Sequence, residues 1–316
     1  MCGIVAYIGE KNATPIIFEG LRKLEYRGYD SAGIAVYDGA QIAIRRDMGK
    51  LDRLETLIQE HPISGKVGIG HTRWATHGEP SAKNAHPHLS NSGKIVVVHN
   101  GIVENYLTLR EELTAEGVQF QSDTDTETLV HLIDKHYEVY GDLKLAVEKA
   151  LKAIKGAHAI VVMSSEEPGH IICARIGNAG GVVIGFGENE MFVASDLPAI
   201  LEHTRRVIFL ESSQLAVVGK DSLSISSLEG KIIKPDIQTV AWDPIAAEKG
   251  IYRHFMQKEM HEQVRSLTDT LAGRVDFDTY RVILPDLHLN TERAKSINKI
   301  FITACGTAAH AGMVGK

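Results

Sequence analysis

Little in this chain points to secretion, to a membrane or to nucleic acid. Its 316 residues include three cysteines, Cys2, Cys173 and Cys305. They are widely spaced and odd in number, which argues against a disulfide framework and for a reducing compartment. Cys173 sits in an apolar run, where an inert, buried thiol is the default. No apolar stretch approaches the ~20 residues that span a bilayer. The N-terminus has no basic stretch and no signal-peptide pattern, so a cytoplasmic protein is expected. Basic residues are outnumbered, 34 against 40 acidic ones, for a formal charge of −6. That balance gives no bulk attraction to nucleic acid or anionic lipid, and neither is expected as a partner. Histidines gather at His71, His77, His86, His88 and His99, yet their spacing fits no zinc pattern and no cysteine lies nearby. No metal and no cofactor are expected. Internal repeats and low-complexity segments are absent.

What is present is ordinary globular material, 44% hydrophobic and 23% charged, with room for one large domain or two smaller ones. Gly3–Ile8 is β-prone. Thr14 offers an N-cap and Pro15 suits a first helical turn, followed by Ile17, Phe18, Leu21 and Leu24 at helical spacing. Ser31–Tyr37 and Gln41–Arg46 predict a hairpin around Asp38-Gly39. Val67–Trp74 and Ile95–Val98 read as strands. Tyr106, Leu109 and Leu113 predict a helix that stops at Gly117. Thr124-Asp125-Thr126-Glu127 has capping-box form and opens another. Asp142 caps a third. Strands dominate from Ala157 to Val218. Strand groups separated by helix pairs favour antiparallel sheets with helices on their outer faces. The pattern is consistent with an α+β, four-layer α/β/β/α sandwich over residues 1–240, without selecting it. Residues 241–250 read as a linker. A helical stripe of Met256, Met260, Val264, Leu267 and Leu271 follows. Ile300–Ala304 then resembles a buried strand leading through Cys305-Gly306-Thr307 into a helix, the opening of a parallel α/β domain. Residues 251–316 are therefore expected to be the truncated start of such a domain.

The residues that bear on chemistry begin at the N-terminus. When Met1 is removed, Cys2 carries both a thiol and a free α-amino group. That amine has an ordinary pKa of about 7.7–8.0, close to working pH. An N-terminal amine beside a side-chain nucleophile is a known activation pair, although a cysteine at position 2 is more often an ordinary residue. A glutamine-cleaving site also needs an oxyanion hole, a cation for the α-carboxylate and an anion for the α-ammonium. Arg73, at a strand end, suits bidentate carboxylate capture, and equally a surface ion pair. Asn100 and Gly101 supply an amide and a backbone N–H for an oxyanion; Asn-Gly after a strand is also a hairpin signal. Asp125 suits the ammonium, or simply the first turn of its helix. Trp74 reads by default as a core aromatic.

Together these blocks resemble the class II glutamine amidotransferase domain, of the N-terminal-nucleophile (Ntn) hydrolase type. The resemblance runs in order through Met1-Cys2-Gly3-Ile4-Val5, Leu24–Gly33, His71–Gly78, His99-Asn100-Gly101 and Thr124–Glu127, across residues 2–240. It implies that Cys2 attacks the glutamine carboxamide, with its own amine acting as base through a water. Asn100 and Gly101 would form the oxyanion hole. Arg73 would bind the substrate carboxylate and Asp125 its ammonium, with Thr76 and His77 lining the pocket. Arg27 would support the site, and Trp74 resembles a gate on the ammonia path. The later Gly250–Glu259 block resembles the branch that aminates fructose 6-phosphate through a sugar-isomerase domain, whose members are homodimers. In that branch Gly306 and Thr307 would contact the sugar phosphate. Ala308 stands where serine is usual, removing one hydroxyl donor. L-Glutamine is the substrate implied for this chain, and fructose 6-phosphate only for a full-length relative. Amidophosphoribosyltransferase and glutamine-dependent asparagine synthetase are the nearest enzymatic rivals. A binding module without turnover is the rival of another class.

Overall fold

Residues of β1 (Gly3–Ile8) alternate between two apolar layers. Ile4, Ala6 and Ile8 enter one, and Val5 and Tyr7 enter the other. Successive strand side chains point to opposite faces, so the sheet that contains β1 is covered on both. The structure, a computed structural model, describes residues 2–240, 252, 255–272, 274–276, 279, 281–282, 287, 291–304 and 306–316. The chain divides into two units, Met1–Glu248 and Lys249–Lys316.

In the first unit β1 is followed by α1 (Ala13–Lys23), β2 (Ser31–Tyr37), β3 (Ile42–Met48), α2 (Leu51–Glu60) and β4 (Val67–Arg73). Next come β5 (His88–Leu89), β6 (Ile95–Gly101), α3 (Tyr106–Ala115), α4 (Asp125–Tyr140) and α5 (Leu143–Ala153). The remainder is β7 (His158–Ser164), β8 (His170–Ile176), β9 (Val183–Phe186), β10 (Met191–Ala194), β11 (Arg206–Phe209), β12 (Gln214–Gly219), β13 (Leu223–Ser227), β14 (Ile232–Ile233) and β15 (Gln238–Thr239). The strands form two sheets, ordered β15-β11-β9-β10-β1-β4-β2-β3 and β14-β13-β12-β8-β7-β6-β5. Every pairing in them is antiparallel.

Between the sheets, Ile4, Ala6 and Ile69 pack against Val96, Val98, Val161 and Cys173. Each fully buried aliphatic side chain of this kind contributes about 1.5–3 kcal/mol. On the outer face of the first sheet lie Ile17 and Leu21 of α1 and Leu54 of α2. Leu109, Leu129, Ile133, Val147 and Leu151 of α3, α4 and α5 cover the second. The layers are therefore α/β/β/α, as the sequence pattern allowed. Helix α1 sits close to β4, where a Cβ on Gly70 would overlap Cγ2 of Ile17. Its N-cap is Asn12, whose side chain accepts the Thr14 N–H. Thr14, the expected cap, is instead the second residue of the helix and donates its hydroxyl to the Ile63 carbonyl at 2.8 Å. Helix α4 has the expected Thr124 cap and ends at Gly141, with φ +62.

The second unit contains α6 (Phe255–Leu271), the antiparallel pair β16 (Val275–Asp276) and β17 (Arg281–Val282), α7 (Thr291–Lys295) and α8 (Gly306–Gly315). The apolar stripe of α6, from Met256 to Leu271, is exposed. The strand expected at Ile300–Ala304 does not form, and Ile300 and Phe301 are 76% and 79% exposed. A strand needs a neighbour to take its N–H and C=O groups, and among the described residues none pairs with this segment. The 241–250 linker and Cys305 lie outside the described residues. Among the described residues no helix is long and apolar enough to cross a membrane.

Candidate active site

Antiparallel registry brings the first candidate residues together. Gly3 pairs with Thr72, so the start of β1 and the end of β4 are neighbours. Cys2 thereby lies beside Arg73 and Trp74. The Trp74 N–H donates to Cys2 Sγ at 3.2 Å, and the thiol lies 3.5 Å from the Trp74 carbonyl. The Cys2 carbonyl accepts two hydrogen bonds, from Arg27 Nε at 3.1 Å and from Asn100 Nδ2 at 3.2 Å. Arg27 is held in turn by Asp196, with Nη1 to Oδ2 at 2.7 Å. Burial pushes the Cys2 thiol above its ordinary pKa, and the Trp74 N–H opposes that shift.

From the second sheet come Asn100 and Gly101, the last residues of β6. They are paired with Ala159 and His158 of β7, so Asn100-Gly101 is not a tight hairpin turn. Gly101 has φ +135, and a Cβ there would overlap the Ala157 carbonyl oxygen. Only glycine lets the chain leave the sheet at that point. Asp125 opens α4, is 4% exposed, and accepts the Val103 N–H at 2.7 Å. It therefore fills its helical first-turn role while also facing the site.

Cys2, Arg73, Trp74, Thr76, Asn100, Gly101 and Asp125 line one cavity of about 410 Å³. Arg73 is buried, and its Nη2 donates to the carbonyls of His77 and Gly78. Its Nη1 is buried without a hydrogen-bond partner. That departs from a surface ion pair. His77 does not line the cavity: its carbonyl anchors Arg73 and its ring meets Tyr106 edge-on at 5.3 Å. Arg27 stands behind Cys2. Trp74 is 50% exposed and meets Tyr29 edge-on at 5.8 Å, so it is not a core aromatic. Gly306, with φ +61, and Thr307 open α8 in the second unit.

Several site residues escaped the sequence reading. Asp30 accepts the Ala75 N–H at 2.5 Å and fixes the loop after Arg73. Ser195 Oγ accepts the Ile4 N–H at 3.0 Å and fixes the start of β1. His86, His99, Thr126 and Asn178 share the cavity wall. Burial pulls His71 and His99 down to about 3 and His158 to about 4, with His86 and His88 lowered as well. These rings are neutral at pH 7. Among the described residues no group of three or more His, Cys, Asp or Glu side chains is placed to hold a metal ion.

The layered antiparallel fold, with a cysteine at the head of its first strand, defines the Ntn-hydrolase-like class of amidotransferases. Residues 58–231 match the family model of the glutamine amidotransferase domain, and the chain belongs to that family. Among curated proteins it is 50% identical, over all of its length, to the glutamine--fructose-6-phosphate aminotransferase [isomerizing] of Clostridium tetani. It is 49% identical to the protein of that name from Caldanaerobacter subterraneus and 47% to that of Methanosarcina mazei. The chain spans 51–52% of these relatives' length. Among solved structures it resembles a glutamine phosphoribosylpyrophosphate amidotransferase from B. subtilis, at TM-score 0.62 and 27% identity, over 73% of this chain and 50% of that one. An allosteric regulatory enzyme of purine biosynthesis matches at TM-score 0.63 and 27% identity, over 72% and 49%.

Proposed function

We propose that this chain, with Met1 removed, hydrolyses L-glutamine through Cys2. The thiol gives its proton to the α-amino group through a water, and Sγ attacks the carboxamide carbon. Asn100 Nδ2 and the Gly101 N–H take the oxyanion charge. The α-ammonium returns the proton to the leaving nitrogen, the C–N bond breaks, and ammonia departs. Water then cleaves the γ-glutamyl thioester, yielding glutamate and free thiol. Arg73 receives the substrate carboxylate and Asp125 its ammonium. Thr76 borders the same pocket, His77 holds Arg73, and Arg27 steadies Cys2.

One observation carries this reading. The buried Arg73 Nη1 has no partner, and Arg73 lines the same cavity as Cys2. An unmade donor on a buried cation costs about 1–3 kcal/mol or more, and a substrate carboxylate would supply the missing acceptor.

In a protein of the relatives' full length, we read the ammonia as passing Trp74 to fructose 6-phosphate, in a cytoplasmic homodimer. Gly306 and Thr307 would then belong to the sugar-phosphate site. The test pairs an intact mass, which shows whether Met1 is gone, with release of glutamate and ammonia. A folded, processed sample that bound glutamine and made no glutamate would establish a binding module instead.

A further inference from the structure

Six histidines, His71, His86, His88, His99, His131 and His158, are buried in the first unit, and the hydrolysis described above uses none of their rings. His71 stands nearest the chemistry. It shares the inter-sheet face of β4 with Ile69, and Asn100 shares that of β6 with Val98. The two side chains meet across the layer. His71 Nε2 is 3.0 Å from Asn100 Oδ1 and 3.2 Å from the His99 carbonyl oxygen.

One proton arrangement satisfies these atoms. A backbone carbonyl accepts and never donates, so the His99 carbonyl requires hydrogen on His71 Nε2. The Cys2 carbonyl likewise requires the Asn100 NH2 group on its side, at 3.2 Å. Asn100 Oδ1 therefore faces His71 as an acceptor. A flipped amide would set oxygen against the Cys2 carbonyl and NH2 against the His71 N–H, losing both bonds. His71 Nδ1 is buried without a partner, which suits a bare lone pair better than an unmade donor. The ring stacks on His86, with centroids 4.2 Å apart and planes inclined by 18°, which fixes its plane.

The neighbouring rings are committed elsewhere. His158 Nε2 donates to the Lys155 carbonyl at 3.2 Å, so its Nδ1 accepts from His99 Nε2 at 3.1 Å. His99 Nδ1 then accepts the Thr126 hydroxyl at 2.8 Å. With its own ring spent in this way, His99 offers the Asn100 amide no donor.

We propose that His71 is a positioning residue, whose Nε2–H fixes the Asn100 amide so that its NH2 group points at Cys2 and at the oxyanion position. The proposal rests on the reading of Asn100 as an oxyanion donor. One amide hydrogen holds the Cys2 carbonyl, leaving the other for the cavity that Asn100 lines.

A double-mutant cycle on the full 316-residue chain tests it. His71→Phe keeps a planar ring without the donor, and His71→Gln restores an N–H near the Nε2 position. His71→Phe is expected to lower glutaminase kcat by about 10- to 100-fold, less than outright loss of an oxyanion donor. KM should stay within about threefold, the mark of an interaction made in the transition state. His71→Gln should recover most of the rate. In an Asn100→Ala background, His71→Phe should change nothing further. Unchanged kcat in His71→Phe, or losses that multiply in the double variant, would overturn the proposal. Unchanged kcat in Asn100→Ala would remove the oxyanion reading itself, and the cycle reports that separately. If His71→Phe fails to fold, imidazole ¹H–¹⁵N spectra of the unaltered chain decide. A neutral Nε2–H ring at pH 7 is expected, and an Nδ1–H ring or an imidazolium contradicts it.

Discussion

Arg27 and Asn100 converge on a single atom, the carbonyl oxygen of Cys2, from 3.1 and 3.2 Å. One donor comes from the turn after α1 and the other from the end of β6, in the opposite sheet. The residue that carries the thiol is thereby tied to both halves of the sandwich. Changes to either tie are expected to register in rate more than in substrate affinity.

Asn100→Ala removes one tie and, on the proposed mechanism, one oxyanion donor with it. Its kcat for glutamine should fall about 10²–10³-fold, with a smaller change in KM. Steady-state kinetics check this. A variant that raised KM alone would reassign Asn100 to ground-state binding.

Asp196→Ala acts one step further back. It strips the 8% exposed Arg27 side chain of its carboxylate partner. A hydrogen bond to a charged group is worth about 1.5–3 kcal/mol, and urea unfolding should show a loss of that order. Loosening Cys2 should also slow turnover, by as much as about 10²-fold if the sulfur shifts near 1 Å. Full stability with unchanged kcat would show that the Arg27–Asp196 pair is dispensable.

Gly70→Ala tests the close approach of α1 to β4. The added methyl meets Cγ2 of Ile17, and overpacking of this kind costs about 1–3 kcal/mol. Ile17→Ala in the same chain should return part of that loss, because it vacates the contested space. Equal stability of Gly70→Ala and the unaltered chain would show that α1 shifts freely.

Acid should unfold the chain through its histidines. Burial lowers His71 and His99 to about 3 and His158 to about 4. In the unfolded chain the same rings take up protons below about pH 6.5. Between those limits the unfolded state binds more protons, so stability falls as pH drops. Above about 6.5 the contribution is complete and pH-independent. Unfolding free energies measured from pH 7 to pH 5 should slope more steeply than the ~1.4 kcal/mol per unit given by one proton. A flat profile would mean that the rings are not buried neutral.

Much of this arrangement is written locally. Gly3–Ile8, Ser31–Tyr37 and the Thr124 cap are legible because period and capping chemistry act within a few residues. Cys2, Arg73, Asn100, Gly101 and Asp125 stand out because their residue types match what glutamine cleavage needs, and the structure places all five on one cavity. Asp196 and Ser195 were not legible, since they meet Arg27 and Ile4 only across more than 160 positions. His71 was hidden as well, although Asn100 lies only 29 positions on, because it reads as a stray metal candidate until β4 and β6 face each other. Helix α2 escaped because Lys50 offers no capping side chain. At Ile300–Ala304 an apolar run suggested a strand, but a strand is a property of two segments, and pattern reports only one.

The backbone grip on Cys2 has one more consequence. Its carbonyl is held by Arg27 and Asn100, and neither bond touches the side chain. Position 2 can thus exchange sulfur for oxygen, or for a bare methyl, and keep both of these ties; a methyl gives up only the acceptor that sulfur offers the Trp74 N–H. On the proposed mechanism, what restricts the choice of residue there is the reactivity of one atom, so that chemistry rather than folding sets the demand for sulfur.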